Sequence, residues 1–107
     1  HKTTRLITEK FNSIKVKTTF QSRFGPQEWL QPYTDKTLEN LPKEGIKNVL
    51  TICPGFSSDC VETLEEISIQ GKESFINAGG TNFDMVPCLN DNDDHIFLIK
   101  SLIENNL

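Results

Sequence analysis

The chain has 107 residues, a formal net charge of −4 and 24% charged residues. That length gives one domain with a modest core, and an acidic balance without a basic stripe speaks against a nucleic-acid partner. No apolar run approaches the roughly 20 residues of a membrane span, and no charged stretch leads into an apolar one as in a secretory leader.

In chain order, "HKTTRLITEKFN" reads as a helix with no N-cap before it. Since the chain opens on His1 rather than Met, this segment reads as part of a longer protein. "IKVKTTF" (14–20) sets Ile14, Val16, Thr18 and Phe20 against Lys15, Lys17 and Thr19, the alternation of a half-exposed strand. Residues 21–33 hold Gly25, Pro26 and Pro32 with little periodicity and read as a long loop. Thr34 or Asp35 caps a helix running to about Glu44, with Pro42 kinking its last turn and Gly45 stopping it. "NVLTIC" (48–53) is a compact apolar strand. Asp59 opens a long helix with Val61, Leu64, Ile67, Phe75 and Ile76 near one stripe, bent at Gly71 and ended by Gly79–Gly80. "NFDMVPCL" (82–89) is a third strand. Asp91, Asn92 and Asp93 lead into a last helix whose buried stripe is Ile96, Ile99, Leu102 and Ile103.

The order α-β-α-β-α-β-α implies parallel strands joined by right-handed crossovers. Ligands of such sheets bind outside the carboxyl ends of the strands. The loops 21–33, 53–59 and 87–92 should therefore meet on one edge.

The stretch "CPGFSSDCVETLEEI" (53–67) raises three readings: a metal-handling site, a redox loop, or a well-capped helix. Cys53, Cys60 and Cys88 form no Cys-x-x-Cys pair, match no usual zinc spacing, and would need a fourth ligand from His1 or His95. Three reduced thiols of a cytosolic protein is the simpler account. Asp59 and Glu62 are spaced as an N-cap and its N3 acid. Glu66 lies four residues beyond Glu62, and two like charges at that spacing repel unless something positive lies between them. A divalent cation or a protonated ligand would do that; a solvated helix face is the alternative.

The loop "QSRFGPQEWLQPYTD" (21–35) could offer Phe24, Trp29 and Tyr33 as flat apolar area, with Gln21, Ser22 and Arg23 as polar edges. Arg23 could pair with an anionic ligand group. The alternative is a loop folding its own aromatics onto the sheet. His95 reads as an exposed histidine, and "GGTNFD" lacks the Lys-Ser/Thr of a phosphate loop.

Taken together, Gln-Ser-x-x-Gly-Pro-x-x-Trp-Leu-x-Pro-Tyr-Thr (21–34), Pro-Gly-Phe-Ser-x-Asp (54–59) and Glu-Thr-Leu-x-Glu (62–66) closely resemble the C-terminal half of bacterial ferrochelatases. "VPCLNDND" resembles that family's Leu-Asn turn, and the similarity covers the chain, most strongly 19–67. The resemblance implies insertion of Fe²⁺ into protoporphyrin IX to give protohaem, within two similar α/β domains whose porphyrin lies in the cleft between them. Residues 1–107 would then be the C-terminal chelatase domain, a three-layer unit with a four-stranded parallel sheet (three strands readable here) flanked by helices. The N-terminal domain of the parent would be absent.

On the same resemblance Glu62 is the catalytic and metal-facing glutamate, and Glu66 and Asp59 relay metal or protons. Gln21, Ser22, Arg23 and Trp29 line the porphyrin. Removing two pyrrole protons while a hydrated cation sheds water suits such residues. The resemblance further implies porphyrin and ferrous iron as substrates, no permanently bound cofactor, no iron–sulfur cluster and a cytoplasmic location, and it is compatible with peripheral membrane association. The family's catalytic histidine matches neither His1 nor His95, so the chain alone should be inactive. Cys60 stands where some relatives carry histidine, and Gln70 falls one helical turn after Glu66 where some continue the acidic ladder. The competing reading is a non-catalytic α/β domain that binds a tetrapyrrole or a divalent metal.

Overall fold

The computed structural model describes residues 1–22, 25–28 and 30–107. Strand β1 (Asn48–Thr51) pairs in parallel with β2 (Asn82–Met85), Val49 lying opposite Phe83 and Thr51 opposite Met85. Parallel neighbours need a crossover, and the long helical segment between them supplies it. Both strands are shorter than 48–53 and 82–89. Val86 still donates to the Thr51 carbonyl at 2.8 Å, but Pro87 has no N–H with which to continue the ladder.

The strand expected at 14–20 does not form. Only Phe20 bridges its neighbour, in parallel to Tyr33, with its N–H on the Pro32 carbonyl at 2.9 Å and its carbonyl taking the Thr34 N–H at 3.0 Å. Alternation defines a face, but a strand also needs a ladder, and Ile14 and Val16 stay exposed. Among the described residues the architecture is therefore α/β with a two-stranded parallel sheet.

Helix α1 (Lys2–Thr8) buries nothing. It is tied to the 18–20 segment by a Thr4–Thr18 hydroxyl bond of 2.7 Å and an edge-on contact of His1 with Phe20. Helix α2 (Thr34–Asn40) is capped by extended Tyr33 rather than by Thr34 or Asp35. It tightens into a 3₁₀ turn at Leu41–Glu44 around Pro42 and stops at Gly45, whose φ of 89° needs no Cβ to accommodate. Lys47 Nζ then donates to the Pro42 and Gly79 carbonyls at 3.3 and 2.9 Å, closing two helix ends with one cation.

The crossover holds the least expected feature. Its helix starts at Val61 and runs as a π-helix over Glu62–Gly71 before narrowing to α3 (Lys72–Asn77). Such i→i+5 helices are rare and mostly single-turn; this one spans 10 residues. Gly71 does not bend the helix, since its φ and ψ of −61° and −43° are helical. It marks the junction instead: a Cβ there would sit 3.0 Å from Leu38 Cδ1, so glycine lets α2 approach.

The core gathers Leu38, Ile67, Phe75 and Phe83, with Leu41, Val49, Cys53 and Met85 around them. Burying Phe75 completely is worth roughly 1.5–3 kcal/mol, and its ring tilts against Phe83 at 5.9 Å. The wide turn rotates the expected stripe, leaving Val61, Leu64 and Ile76 exposed. One face of the sheet is thus covered, while Leu50 remains 68% exposed on the other.

Helix α4 (Asp93–Asn105) is capped by Asn92, whose side chain accepts from the Asp94 N–H at 3.0 Å. Its expected buried stripe is not buried: Ile96, Ile99, Leu102 and Ile103 are all exposed, along with Phe97. A period of 3.6 marks the apolar face of a helix, and no described element packs over this one closely enough to bury any α4 residue.

Candidate active site

The loops after the two strands do meet at the sheet's carboxyl edge, and Asp59 is where they join. Its Oδ2 accepts from Asn90 Nδ2 at 3.0 Å and from the Cys88 N–H at 3.3 Å, and its Oδ1 accepts from the Thr63 hydroxyl at 2.9 Å. Asn90 Oδ1 in turn accepts the Asp59 N–H at 2.8 Å. The bonds from Asn90 first, with those from Thr63 and Cys88, hold the Asp59 carboxyl below its ordinary value of 3.8 against the cost of burial.

Asp59 is therefore not the N-cap. The Cys60 carbonyl accepts the first helical bond, from the Leu64 N–H at 2.8 Å, and the Cys60 N–H is taken by Thr63 Oγ1 at 3.0 Å. The reciprocal half of a capping box is made by Thr63, not by Glu62. Freed from that duty, Glu62 lies half-buried in the first helical turn. The Cys60 thiol and the Glu62 backbone N–H hold its carboxyl below the ordinary 4.5.

Across from the helix lies the loop after Phe20. Gln21 Nε2 donates to the Glu62 carbonyl at 2.7 Å and to Glu66 Oε2 at 3.4 Å, and Ser22 Oγ donates to the same Oε2 at 2.7 Å. Gln21 Oε1 accepts the Cys53 thiol at 3.8 Å. Gln21, Ser22 and Glu66 are thus brought together through their side chains and Glu62 through its backbone carbonyl, with Asp59 at the same helix start. The Glu62 carboxyl turns to Cys60 and is not among the residues lining the cleft. Arg23 and Trp29, together with the aromatic Phe24, lie outside the described residues. Between loop and helix opens a cleft of about 910 Å³ lined by Gln21, Ser22, Tyr33, Glu66, Gln70 and Ser74 among others.

The π-helix changes who stands beside whom. Gln70 reaches Glu65, five residues back, at 3.4 Å, as i→i+5 stacking requires. It does not continue a ladder from Glu66; the residue five beyond Glu66 is Gly71.

Cys53, Cys60 and Cys88 are free thiols. Burial first, and then the Asp59 charge and Cys60, push Cys53 up. Burial, followed by Asp59 and the neighbouring thiols, pushes Cys88 up to about 11. Thiols held protonated are poor metal ligands and nucleophiles. Among the described residues no group of three or more His, Cys, Asp and Glu side chains converges to hold a metal ion, and no helix is long and apolar enough to cross a membrane.

Two residues of this site were missed in the sequence. Asn90 stood only within a loop range and the Leu-Asn turn of the resemblance, and Thr63 only inside the motif Glu-Thr-Leu-x-Glu, neither with a role of its own. The signals were there: an Asn beside acids in a turn, and a hydroxyl three residues after Cys60. His95, read as exposed, is half-buried, with Nδ1 at 2.7 Å from the Asn90 carbonyl. Since a carbonyl only accepts, Nδ1 carries the proton.

These observations define a class: an α/β domain whose acidic, widened helix faces an open cleft rimmed by a polar loop. The ferrochelatase family model matches residues 1–107, and the chain belongs to that family. It is 52% identical over 109 residues to the ferrochelatase of Pseudoalteromonas atlantica, covering 100% of this chain and 30% of that protein. It is 52% identical over 105 residues to that of Actinobacillus pleuropneumoniae, covering 96% and 33%. To that of Yersinia pestis it is 54% identical over 93 residues, covering 87% and 29%. The chain thus spans about 30% of the length of these curated relatives.

Proposed function

We propose that residues 1–107 are the C-terminal chelatase domain of a longer protein that inserts Fe²⁺ into protoporphyrin IX to form protohaem. The observation that carries this reading is the pairing of Glu66 with Ser22 and Gln21 at the rim of a cleft, on the helix that carries Glu62 in its first turn. It joins the two segments by which the sequence most resembles ferrochelatases, 21–34 and 54–66.

In this reading Glu62 accepts protons released as the two pyrrole N–H groups are replaced by metal. Held below its ordinary value, it is ionised at neutral pH and binds a proton weakly, which suits a group that hands the proton on. Glu66 and Asp59 pass protons or metal along the helix. Gln21, Ser22, Arg23 and Trp29 line one wall of the porphyrin site, and the N-terminal domain supplies the other wall with the family's histidine. The C-terminal domain itself is a three-layer unit with a four-stranded parallel sheet, of which β1 and β2 are two strands. Iron and porphyrin are substrates; the domain keeps no cofactor or iron–sulfur cluster of its own and works in the cytoplasm. The isolated chain is inactive.

The test is metallation of protoporphyrin and of coproporphyrin by the full-length protein and its Glu62→Gln variant. Loss of metallation with unchanged folding supports the reading. A variant with near-normal activity overturns the assignment of Glu62, and activity on coproporphyrin alone overturns the substrate.

A further inference from the structure

Every polar group of Asn90 is engaged. Its N–H donates to the Ser57 carbonyl at 2.9 Å, and its carbonyl takes the His95 Nδ1–H at 2.7 Å. Oδ1 accepts the Asp59 N–H at 2.8 Å and Nδ2 donates to Asp59 Oδ2 at 3.0 Å. The residue is held at φ 49°, in the left-handed region that Asn tolerates better than most side chains because its short polar group bonds locally.

The line of bonds continues into the helix. Asp59 Oδ1 receives the Thr63 hydroxyl at 2.9 Å, and the Thr63 oxygen takes the Cys60 N–H at 3.0 Å. Thr63 is fully buried, and its hydroxyl has two acceptors in reach, Asp59 Oδ1 at 2.9 Å and the Cys60 carbonyl at 3.2 Å, of which the carboxylate is the nearer and the charged one. The need for this outside support is chemical. The residue at the cap position is Cys60, and a thiol is a weak acceptor that closes a helix end poorly. The turn that follows belongs to a π-helix, an uncommon geometry that relies on its surroundings. Glu62 sits between Cys60 and Thr63, inside the turn the bonds secure.

We propose that Asn90 is a positioning residue for metallation: through Asp59 and Thr63 it fixes the first turn of the π-helix and so sets where the Glu62 carboxylate stands. The inference rests on the reading of Glu62 as proton acceptor. The partners of Asn90, namely Ser57, Asp59 and His95, do not line the cleft, so its loss should act on kcat rather than on porphyrin binding.

The experiment uses the full-length protein with variants Asn90→Gly, Thr63→Val, Thr63→Ser and the double variant Asn90→Gly/Thr63→Val, beside Glu62→Gln. Glycine keeps the left-handed backbone and removes only the side chain. Asn90→Gly and Thr63→Val should each lower kcat by about tenfold to a hundredfold, the scale of a displacement near 1 Å, with porphyrin KM changed less than about twofold. Thr63→Ser should retain nearly full kcat. The double variant should lose no more than either single one, because both act through one path. Amide hydrogen exchange at Thr63 and Leu64 should quicken in Asn90→Gly whether or not Glu62 is the base. A kcat within about twofold of the parent, losses that multiply, or a change confined to KM would overturn the proposal. If Asn90→Gly does not fold, the Thr63 pair decides: equal kcat in Val and Ser variants overturns it. An active Glu62→Gln sinks the base reading, while an inactive one beside a fully active Asn90→Gly sinks only the positioning role.

Discussion

Ser22 Oγ donates to Glu66 Oε2 at 2.7 Å across 44 residues of sequence. The bond joins the segment after Phe20 to the middle of the π-helix. Ser22 holds φ 58° to make it, a conformation that non-glycine residues adopt only where surroundings repay it. Removing the hydroxyl while keeping the backbone separates the two functions. Ser22→Gly, at an exposed position, should shift stability by less than about 1 kcal/mol. It should also slow metallation by the longer protein several-fold, as Glu66 loses its closest donor. Urea melts and initial rates check both; an unchanged rate would detach Ser22 from the site.

Gly80 should be intolerant of any side chain. A Cβ there would overlap Phe75 Cε1 and Cδ1, and the ring is fully buried. Gly80→Ala should cost about 1–3 kcal/mol or more through overpacking. Gly55, with nothing within 4 Å and no positive φ, is the control: Gly55→Ala should be neutral or stabilising by up to about 1 kcal/mol. Equal urea midpoints for the two variants would refute the packing argument.

What could be read from sequence followed from local rules. Pro42, Gly45 and Gly79 act through their own backbone and Asn92 through a side chain that reaches only two residues on, and each stands where the residue type demands. The parallel pairing followed from the strand–helix order. What could not be read depended on partners. The 14–20 alternation suggested two faces, but no described strand lies alongside, and Ile14 and Val16 are exposed just as Lys15 and Lys17 are. Asp59 and Glu62 fit a capping box better by residue type than Cys60 and Thr63 do, and Asn90, 31 residues away, overrode that by engaging the Asp59 N–H and carboxylate. The π-helix left no mark on the apolar pattern, because a widened turn reveals itself only in who stacks on whom, as Gln70 does on Glu65.

Helix α4 supplies a prediction about this chain by itself. Ile96, Ile99 and Ile103 flank a shallow groove with Lys100 and Glu104, and Phe97 beside them is 70% exposed. A continuous apolar stripe of this kind binds hydrophobic dyes and promotes association. The 107-residue chain should enhance anilinonaphthalene sulfonate fluorescence and sediment faster as its concentration rises. Ile96→Ser with Ile103→Ser should weaken both effects. Sedimentation as a monomer at every concentration, without dye binding, would contradict it.

The last prediction concerns pH. Folding lowers the affinity of Asp59 for a proton below the ordinary 3.8, chiefly through Asn90. Its contribution to stability is therefore complete above about pH 4 and is lost as pH falls through the lower folded value. Cys88 runs the other way. Its thiol is raised from 9.0 to about 11 by burial and by Asp59, so its contribution is complete below the ordinary value and is lost as pH climbs toward the folded one. Urea melts of the chain across this range, beside Asp59→Asn and Cys88→Ser, separate the two. The stability gap between parent and Asp59→Asn should close toward the acid end, because a protonated Asp59 no longer attracts the Asn90 amide and the Cys88 N–H. The alkaline decline should be shallower in Cys88→Ser, which has no thiol to ionise. A gap of constant size from neutral to acid pH would show that the Asp59 charge does not hold the two loops together.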